Sequence, residues 1–105
     1  MRILLDECLP IDFRHDLVLG GHVETASFAG LGGISNGSLL DAMRGRFDVL
    51  ITIDSGLRYQ QSIATRPVAV IVLRAPTNAI EDLRPLVPAI LSALATLQPG
   101  SIVEI

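Results

Sequence analysis

Acidic residues directly follow two of the predicted strands. Asp6 and Glu7 follow the apolar run at 2–5, and Asp54 follows the run at 49–53. Ligands and catalytic groups gather beyond the carboxyl ends of parallel strands in an open α/β sheet. If the two strands are neighbours, the three carboxylates converge, and a divalent cation offsets their repulsion. The sequence therefore predicts a site for a hard metal ion, Mg²⁺ or Mn²⁺, that would activate water and stabilise charge on a phosphate.

Two hydroxyl residues lie close to the third acid in sequence. Thr52 and Ser55 flank Asp54 and could position a water molecule or a phosphate oxygen. A structural alternative stays open, because aspartate is a favoured helix N-cap and both Asp6 and Asp54 precede predicted helices.

The elements that must position these residues alternate between strand and helix. Apolar runs predict strands at 2–6, 22–26, 48–53, 68–73 and 101–105, the last an edge strand. Helices are predicted at 11–20, 37–45 and 55–63, with a further helix whose apolar residues repeat with a period of 3.6 between 80 and 97. This order predicts an α/β fold, a three-layer α/β/α sandwich with a mostly parallel, roughly five-stranded sheet and right-handed crossovers.

Helix boundaries carry more specific signals. Ser35 or Asn36 is a suitable N-cap for the second helix, and the segment 78–81 matches a capping box before the last one. Pro85 and Pro88 lie inside the last helical pattern, so we expect a kink or a late start there.

Length and composition limit the classes of protein. The 105 residues are 50% hydrophobic and 18% charged, which predicts one globular domain over 1–105. A net charge of −3, with arginine but no lysine, argues against strong passive binding to a phosphate backbone. A nuclease remains compatible, because a bound metal supplies local positive charge. Cys8 is the only cysteine, which fits a reducing compartment such as the cytoplasm. We expect no membrane span and no signal peptide.

Three sequence blocks resemble one known family. The blocks are LLDECLP at 4–10, GISNGSLL at 33–40 and DVLITID at 48–54, and together with YQQ at 59–61 and VIVLR at 70–74 they are similar to small PIN-like domains. The resemblance implies a PIN-like fold and a metal-dependent endoribonuclease, and many PIN domains are toxins of toxin–antitoxin pairs. It implies Mg²⁺ or Mn²⁺ as cofactor, RNA as substrate, an antitoxin as partner and a homodimer as a common state. Asp6 and Asp54 would carry the metal, with Glu7 nearby.

The chain departs from that family at the start of the second helix. The family usually has an acid near position 36 or at 38, where this chain has Asn36 and Ser38. Asp41, about one helical turn further on, could substitute if it faces the site, or it could be a solvent-exposed residue. The missing acid leaves a second hypothesis open, namely a catalytically degenerate PIN-like module that binds protein or RNA.

Two further interpretations concern single segments. Arg58 and Tyr59 could contact RNA, because arginine pairs with phosphate and tyrosine stacks on a base; the alternative is a solvated helix face. A phospho-receiver domain would use Asp54 as phosphoryl acceptor, with Asp6 and Glu7 holding Mg²⁺. Such a domain also needs a hydroxyl after strand four and a cation after strand five, usually lysine, and this chain has no lysine.

Overall fold

The computed structural model describes residues 1–56 and 63–105. Short strands alternate with short helices along the described chain, as the sequence predicts. The strands are β1 Arg2–Leu5, β2 His22–Thr25, β3 Val49–Thr52, β4 Ala69–Val72 and β5 Ile102–Glu104. The α-helices are α1 Phe13–Asp16, α2 Asn36–Ala42, α3 Ile80–Leu83 and α4 Val87–Thr96, and single 3₁₀ turns occupy Val18–Gly20, Ile63–Thr65 and Arg84–Leu86.

The five strands form one all-parallel sheet in the order β2-β1-β3-β4-β5. The predicted α/β class is therefore confirmed. The chain leaves β1 toward one edge and returns to its other side as β3, so the strand order reverses between these two neighbours. Ligand sites in such sheets lie at this reversal, beyond the carboxyl ends of the strands.

Two aliphatic clusters, one on each face, hold the sheet between helices. One cluster joins alternate strand residues such as Ile3, Leu5 and Ile51 to α1, α3 and α4. The other joins Leu4, Leu50 and their neighbours to α2. This alternation follows from the two-residue repeat of a strand. All four residues of β3 and of β4 are buried, as expected for a parallel sheet covered on both faces.

The first helix is shorter than the predicted helix at 11–20. It stops at Asp16, because Leu17 leaves the helical region with φ −112° and ψ 3°. A 3₁₀ turn then carries the chain to Gly20, which packs against α4. A Cβ on Gly20 would lie 2.5 Å from Cδ1 of the buried Leu94. The segment after α1 therefore packs closely against α4 instead of continuing as a helix.

The proline break in the last helix is confirmed, because a 3₁₀ turn separates α3 from α4. The predicted capping box at 78–81 is wrong. Ala79 is the N-cap and has no side-chain capping bond, and its N–H donates instead to Thr77 Oγ1 at 3.0 Å. At α2, Ser35 is the N-cap and its hydroxyl accepts from the N–H of Ser38.

Most of the helix predicted at 55–63 lies in 57–62, outside the described residues. The final edge strand is confirmed as β5, which pairs with β4. None of the helices within 1–56 and 63–105 is long and apolar enough to cross a membrane.

Candidate functional site

One buried hydroxyl links two acids at the carboxyl ends of β1 and β3. The N–H of Asp6 donates to the carbonyl of Ile51 at 3.0 Å, which continues the strand pairing and places Asp6 beside Thr52. The Thr52 side chain is completely buried. Its hydroxyl donates to Asp6 Oδ2 at 2.7 Å and accepts the N–H of Asp54 at 3.1 Å. The structure therefore brings Asp6, Thr52 and Asp54 together at the strand-order reversal.

The first residue of α2 reaches the same place. Asn36 Nδ2 donates to Asp54 Oδ2 at 3.2 Å, and the N–H of Gly56 donates to Asp54 Oδ1 at 3.0 Å. Both oxygens of this exposed carboxylate thus accept hydrogen bonds from the protein. The resemblance predicts an acid near position 36 or at position 38. In this chain an amide donor at position 36 satisfies the Asp54 carboxylate, where a second carboxylate would repel it.

Glu7 has a different partner. Its two carboxylate oxygens accept the N–H of Gly33 at 3.1 and 3.0 Å, in the connection between β2 and α2. The N–H of Glu7 donates to Asp6 Oδ1 at 2.9 Å, so its backbone, rather than its side chain, supports the first acid. Within the described residues, no group of three His, Cys, Asp or Glu side chains is arranged to hold a metal ion.

Of the other predicted site residues, one pairs elsewhere, one directly follows Asp54, and two lie outside the described residues. Asp41 Oδ1 pairs with Arg66 Nε at 3.0 Å, and its side chain is largely exposed. Ser55 is exposed next to Asp54 in the chain. Arg58 and Tyr59 fall within 57–62, so their predicted contact with RNA lies outside the described residues.

The cysteine beside the two N-terminal acids is a half-buried thiol. Cys8 Sγ lies 3.7 Å from Thr52 Oγ1. Burial raises the pKa of the thiol, and the negative charge of Asp6 raises it further. Cys8 is therefore a protonated thiol at neutral pH, since a raised pKa disfavours the reactive thiolate.

Two contributors to this region were missed by the sequence reasoning. The N–H of Gly33 donates to the Glu7 carboxylate, and Asn78 Nδ2 donates to the carbonyl of Cys8 at 2.9 Å. Asn78 was assigned to a helix cap because of its spacing from Glu81. No local pattern marks a contact between positions 8 and 78.

The donor set suits a hard cation with few protein ligands. Mg²⁺ is usually bound by one or two carboxylates and keeps several waters. Asp6 and Asp54 supply two carboxylates, and each carboxylate oxygen has acceptor capacity beyond a single hydrogen bond. Asn36 contacts Asp54 through its amide nitrogen, and its amide oxygen is a further hard donor. The residues present therefore fit a magnesium or manganese ion bound through two carboxylates.

No protein-family model, curated protein or solved structure matches this chain.

Proposed function

We propose that this chain is a metal-dependent endoribonuclease of the PIN-like kind, with Asp6 and Asp54 as the carboxylates that bind Mg²⁺ or Mn²⁺. One observation carries the proposal: the buried Thr52 hydroxyl bonds both the Asp6 carboxylate and the Asp54 N–H where the strand order reverses. RNA as the substrate follows from the resemblance of the sequence blocks at 4–10, 33–40 and 48–54 to PIN-like domains.

Each residue then has a distinct role. Thr52 is a positioning residue, because its two hydrogen bonds fix where Asp6 and Asp54 leave their strands. Glu7 anchors the β2–α2 connection through Gly33. Asp54 is exposed to solvent, which leaves room for a phosphodiester to approach. A bound divalent cation would lower the pKa of a bound water and neutralise charge on the phosphate.

Charge makes the cation important for substrate binding as well. The chain carries a net charge of −3, which opposes the approach of a polyanion. Affinity for RNA should therefore depend on the divalent cation, and it should fall when the cation is chelated.

A second hypothesis is a degenerate PIN-like module that binds protein or RNA without cutting it. The contact that favours it is the hydrogen bond from Asn36 Nδ2 to Asp54 Oδ2. The Asn36 amide satisfies the Asp54 carboxylate in the absence of a metal ion. It also carries no negative charge that would help to bind a metal ion. A protein partner such as an antitoxin is compatible with both hypotheses and stays a prediction.

Titration with Mn²⁺ separates the two hypotheses. We expect saturable binding by the parent protein, measured by calorimetry, and its loss in Asp54→Asn. Asp48→Asn is the matched control, because it removes the same charge at the other end of the sheet, where Asp48 bonds Arg2. Metal-dependent cleavage of single-stranded RNA should follow the same pattern. A parent protein without saturable binding at millimolar Mn²⁺ would contradict the nuclease proposal and favour the degenerate module.

The strand order β2-β1-β3-β4-β5 also occurs in phospho-receiver domains. In such a domain Asp54 would be the phosphoryl acceptor. The residues after β4 are Leu73 and Arg74, and the sequence contains no lysine to follow β5. The hydroxyl and the lysine of that chemistry are thus missing from their usual places. Incubation with acetyl phosphate and Mg²⁺, followed by intact-mass measurement, should show no phosphoryl addition, and an addition removed by Asp54→Asn would favour the receiver.

A further inference from the structure

The outer edge of β2 presents main-chain groups to solvent. In β2 the N–H of His22 donates to the carbonyl of Met1 at 2.9 Å, and just after it the N–H of Ala26 donates to the carbonyl of Leu5 at 2.8 Å. Because backbone groups of successive strand residues point to opposite sides, the N–H and C=O of Val23 point away from β1. Within 1–56 and 63–105, no other strand pairs with this side of β2. An edge of this kind is a template for pairing with another chain.

The side chains around Val23 form a self-complementary charge pattern. His22 and Glu24 lie on the same face of β2, and His22 Nε2 is 3.0 Å from Glu24 Oε1 within the chain. If a second copy pairs with β2 antiparallel, on a twofold axis at Val23, the two Val23 residues face each other. His22 of each copy is then opposite Glu24 of the other. Directly opposed residues of opposite charge stabilise an antiparallel pair.

Exposed apolar side chains precede and follow β2 in the chain. Leu19 is 88% exposed and Phe28 is 80% exposed, the highest values among the large hydrophobic side chains described. Leu19 lies four positions before Val23 and Phe28 five positions after it, at the two ends of β2. Both residues lie in the turns that flank the strand, just beyond the segment that would pair with a second copy. Exposed apolar side chains at both ends of a free edge are typical of an interaction surface.

We propose that β2 is a homodimer interface, at which a second copy of this chain pairs antiparallel about Val23. The two Val23 residues exchange N–H to C=O bonds, as hydrogen-bonded pairs of an antiparallel ladder do. Two His22–Glu24 contacts flank them, and the exposed Leu19 and Phe28 lie beyond the two ends of the paired strands. The two sheets become one continuous sheet. The interface does not use Asp6, Thr52 or Asp54, so it is independent of the proposed nuclease function.

The first test removes one outward N–H from each edge of the sheet in turn. Val23→Pro deletes the N–H that the dimer needs and that β1 does not use, and proline is tolerated at such edge positions. Ile102→Pro is the matched control. The C=O of Ser101 and the N–H of Ile105 bond Val70 and Val72 of β4, so the N–H of Ile102 points away from β4. Sedimentation velocity over a concentration series should show a dimer for the parent and for Ile102→Pro, and a monomer for Val23→Pro. Thermal melts establish that each variant is folded.

The second test exchanges the residue types at positions 22 and 24. His22→Glu and Glu24→His should each weaken self-association about tenfold or more, since like charges then face each other twice. An equimolar mixture of the two variants should associate again, because each acid then faces a histidine on the other chain. All samples are measured at the same pH of about 6. Restored association in the mixture cannot arise from a folding defect in either variant.

Three results would overturn the proposal. The first is a parent protein that stays monomeric at concentrations of about 100 μM, far above the dissociation constant of a specific dimer. The second is a dimer that Ile102→Pro abolishes and Val23→Pro does not, which would place the interface at β5. The third is a mixture of His22→Glu and Glu24→His that associates no better than the single variants.

Discussion

Thr52 is completely buried although it carries a hydroxyl, and that hydroxyl contacts both acids of the candidate site as well as Cys8 Sγ. Thr52→Val keeps the shape of the side chain and leaves Asp6 Oδ2 and the N–H of Asp54 without that partner. We expect a loss of about 1–3 kcal/mol in the free energy of unfolding, measured by urea denaturation. Thr52→Ser keeps the hydroxyl and is the control. Equal stability of the valine variant and the parent would show that water replaces the hydroxyl at no cost.

Asn36 contacts the Asp54 carboxylate, and Asn36→Asp introduces an acid in the segment where the resemblance implies one, near position 36 or at 38. Without metal the new carboxylate repels Asp54, so the melting temperature should fall. With Mn²⁺ the third carboxylate should raise metal affinity about tenfold, which is roughly 1.4 kcal/mol. Calorimetric titration measures the change, and Asn36→Ala, which removes the amide without adding charge, is the control. Unchanged affinity in Asn36→Asp would mean that position 36 does not contribute to metal binding.

Sequence reasoning reached Asp6 and Asp54 but missed the partners that orient the acids. The two aspartates were identifiable because an apolar run marks a buried strand, and the residue after it lies at the sheet edge where ligands bind. The contacts of Glu7 with Gly33 and of Asn78 with Cys8 join positions that are 26 and 70 residues apart. The paths of loops decide such contacts, and no local periodicity encodes those paths.

At the scale of elements, strands were easier to predict than helices. The central strands β3 and β4 are short β-branched or aliphatic runs buried on both faces, so burial and propensity agree there. The helices α1 and α3 have four residues each, too few for periodicity to define their ends. Packing constrains the chain after α1 instead, where Gly20 in the following 3₁₀ turn lies against Leu94.

The start of β2 depends on a glycine that no other residue replaces easily. Gly21 has φ 145° and ψ −160°, a region used almost only by glycine. A Cβ there would also collide with the carbonyl oxygen of Met1, which accepts the N–H of His22. Gly21→Ala should therefore destabilise the fold by about 3 kcal/mol or more, because the first bond between β1 and β2 must shift.

Gly30 provides the control for that substitution, because it also has a positive φ, 77°, but a Cβ there meets nothing within 4 Å. Gly30→Ala should cost only about 1–2 kcal/mol, the conformational cost alone. Urea denaturation of both variants gives the comparison. Equal losses would mean that backbone conformation accounts for the whole effect and that contact with Met1 does not matter.

At the scale of the whole molecule, an ion pair joins two distant parts of the chain at the end of the sheet opposite the candidate site. Asp48 Oδ2 accepts the N–H of Arg2 at 2.7 Å, and Asp48 Oδ1 lies 3.2 Å from the Arg2 guanidinium. The contact ties the start of β1 to the residue that precedes β3. It therefore supports the pairing of the two strands that carry the acids.

The contribution of this ion pair should be visible in the pH dependence of the free energy of unfolding. Hydrogen bonds from Arg2 hold the pKa of the Asp48 carboxyl below its usual range, so the folded chain binds that proton less readily than the unfolded chain. The pair contributes fully to the free energy of unfolding above the pKa of the unfolded chain, about 3.9, and this contribution is lost as the pH falls through the pKa of the folded chain. Because the pair is exposed, Asp48→Asn should cost only about 0.2–1 kcal/mol at pH 7. Urea denaturation from pH 7 to pH 3 should show a constant difference down to about pH 5 that shrinks below about pH 4, and a difference that grows on acidification would contradict the assignment.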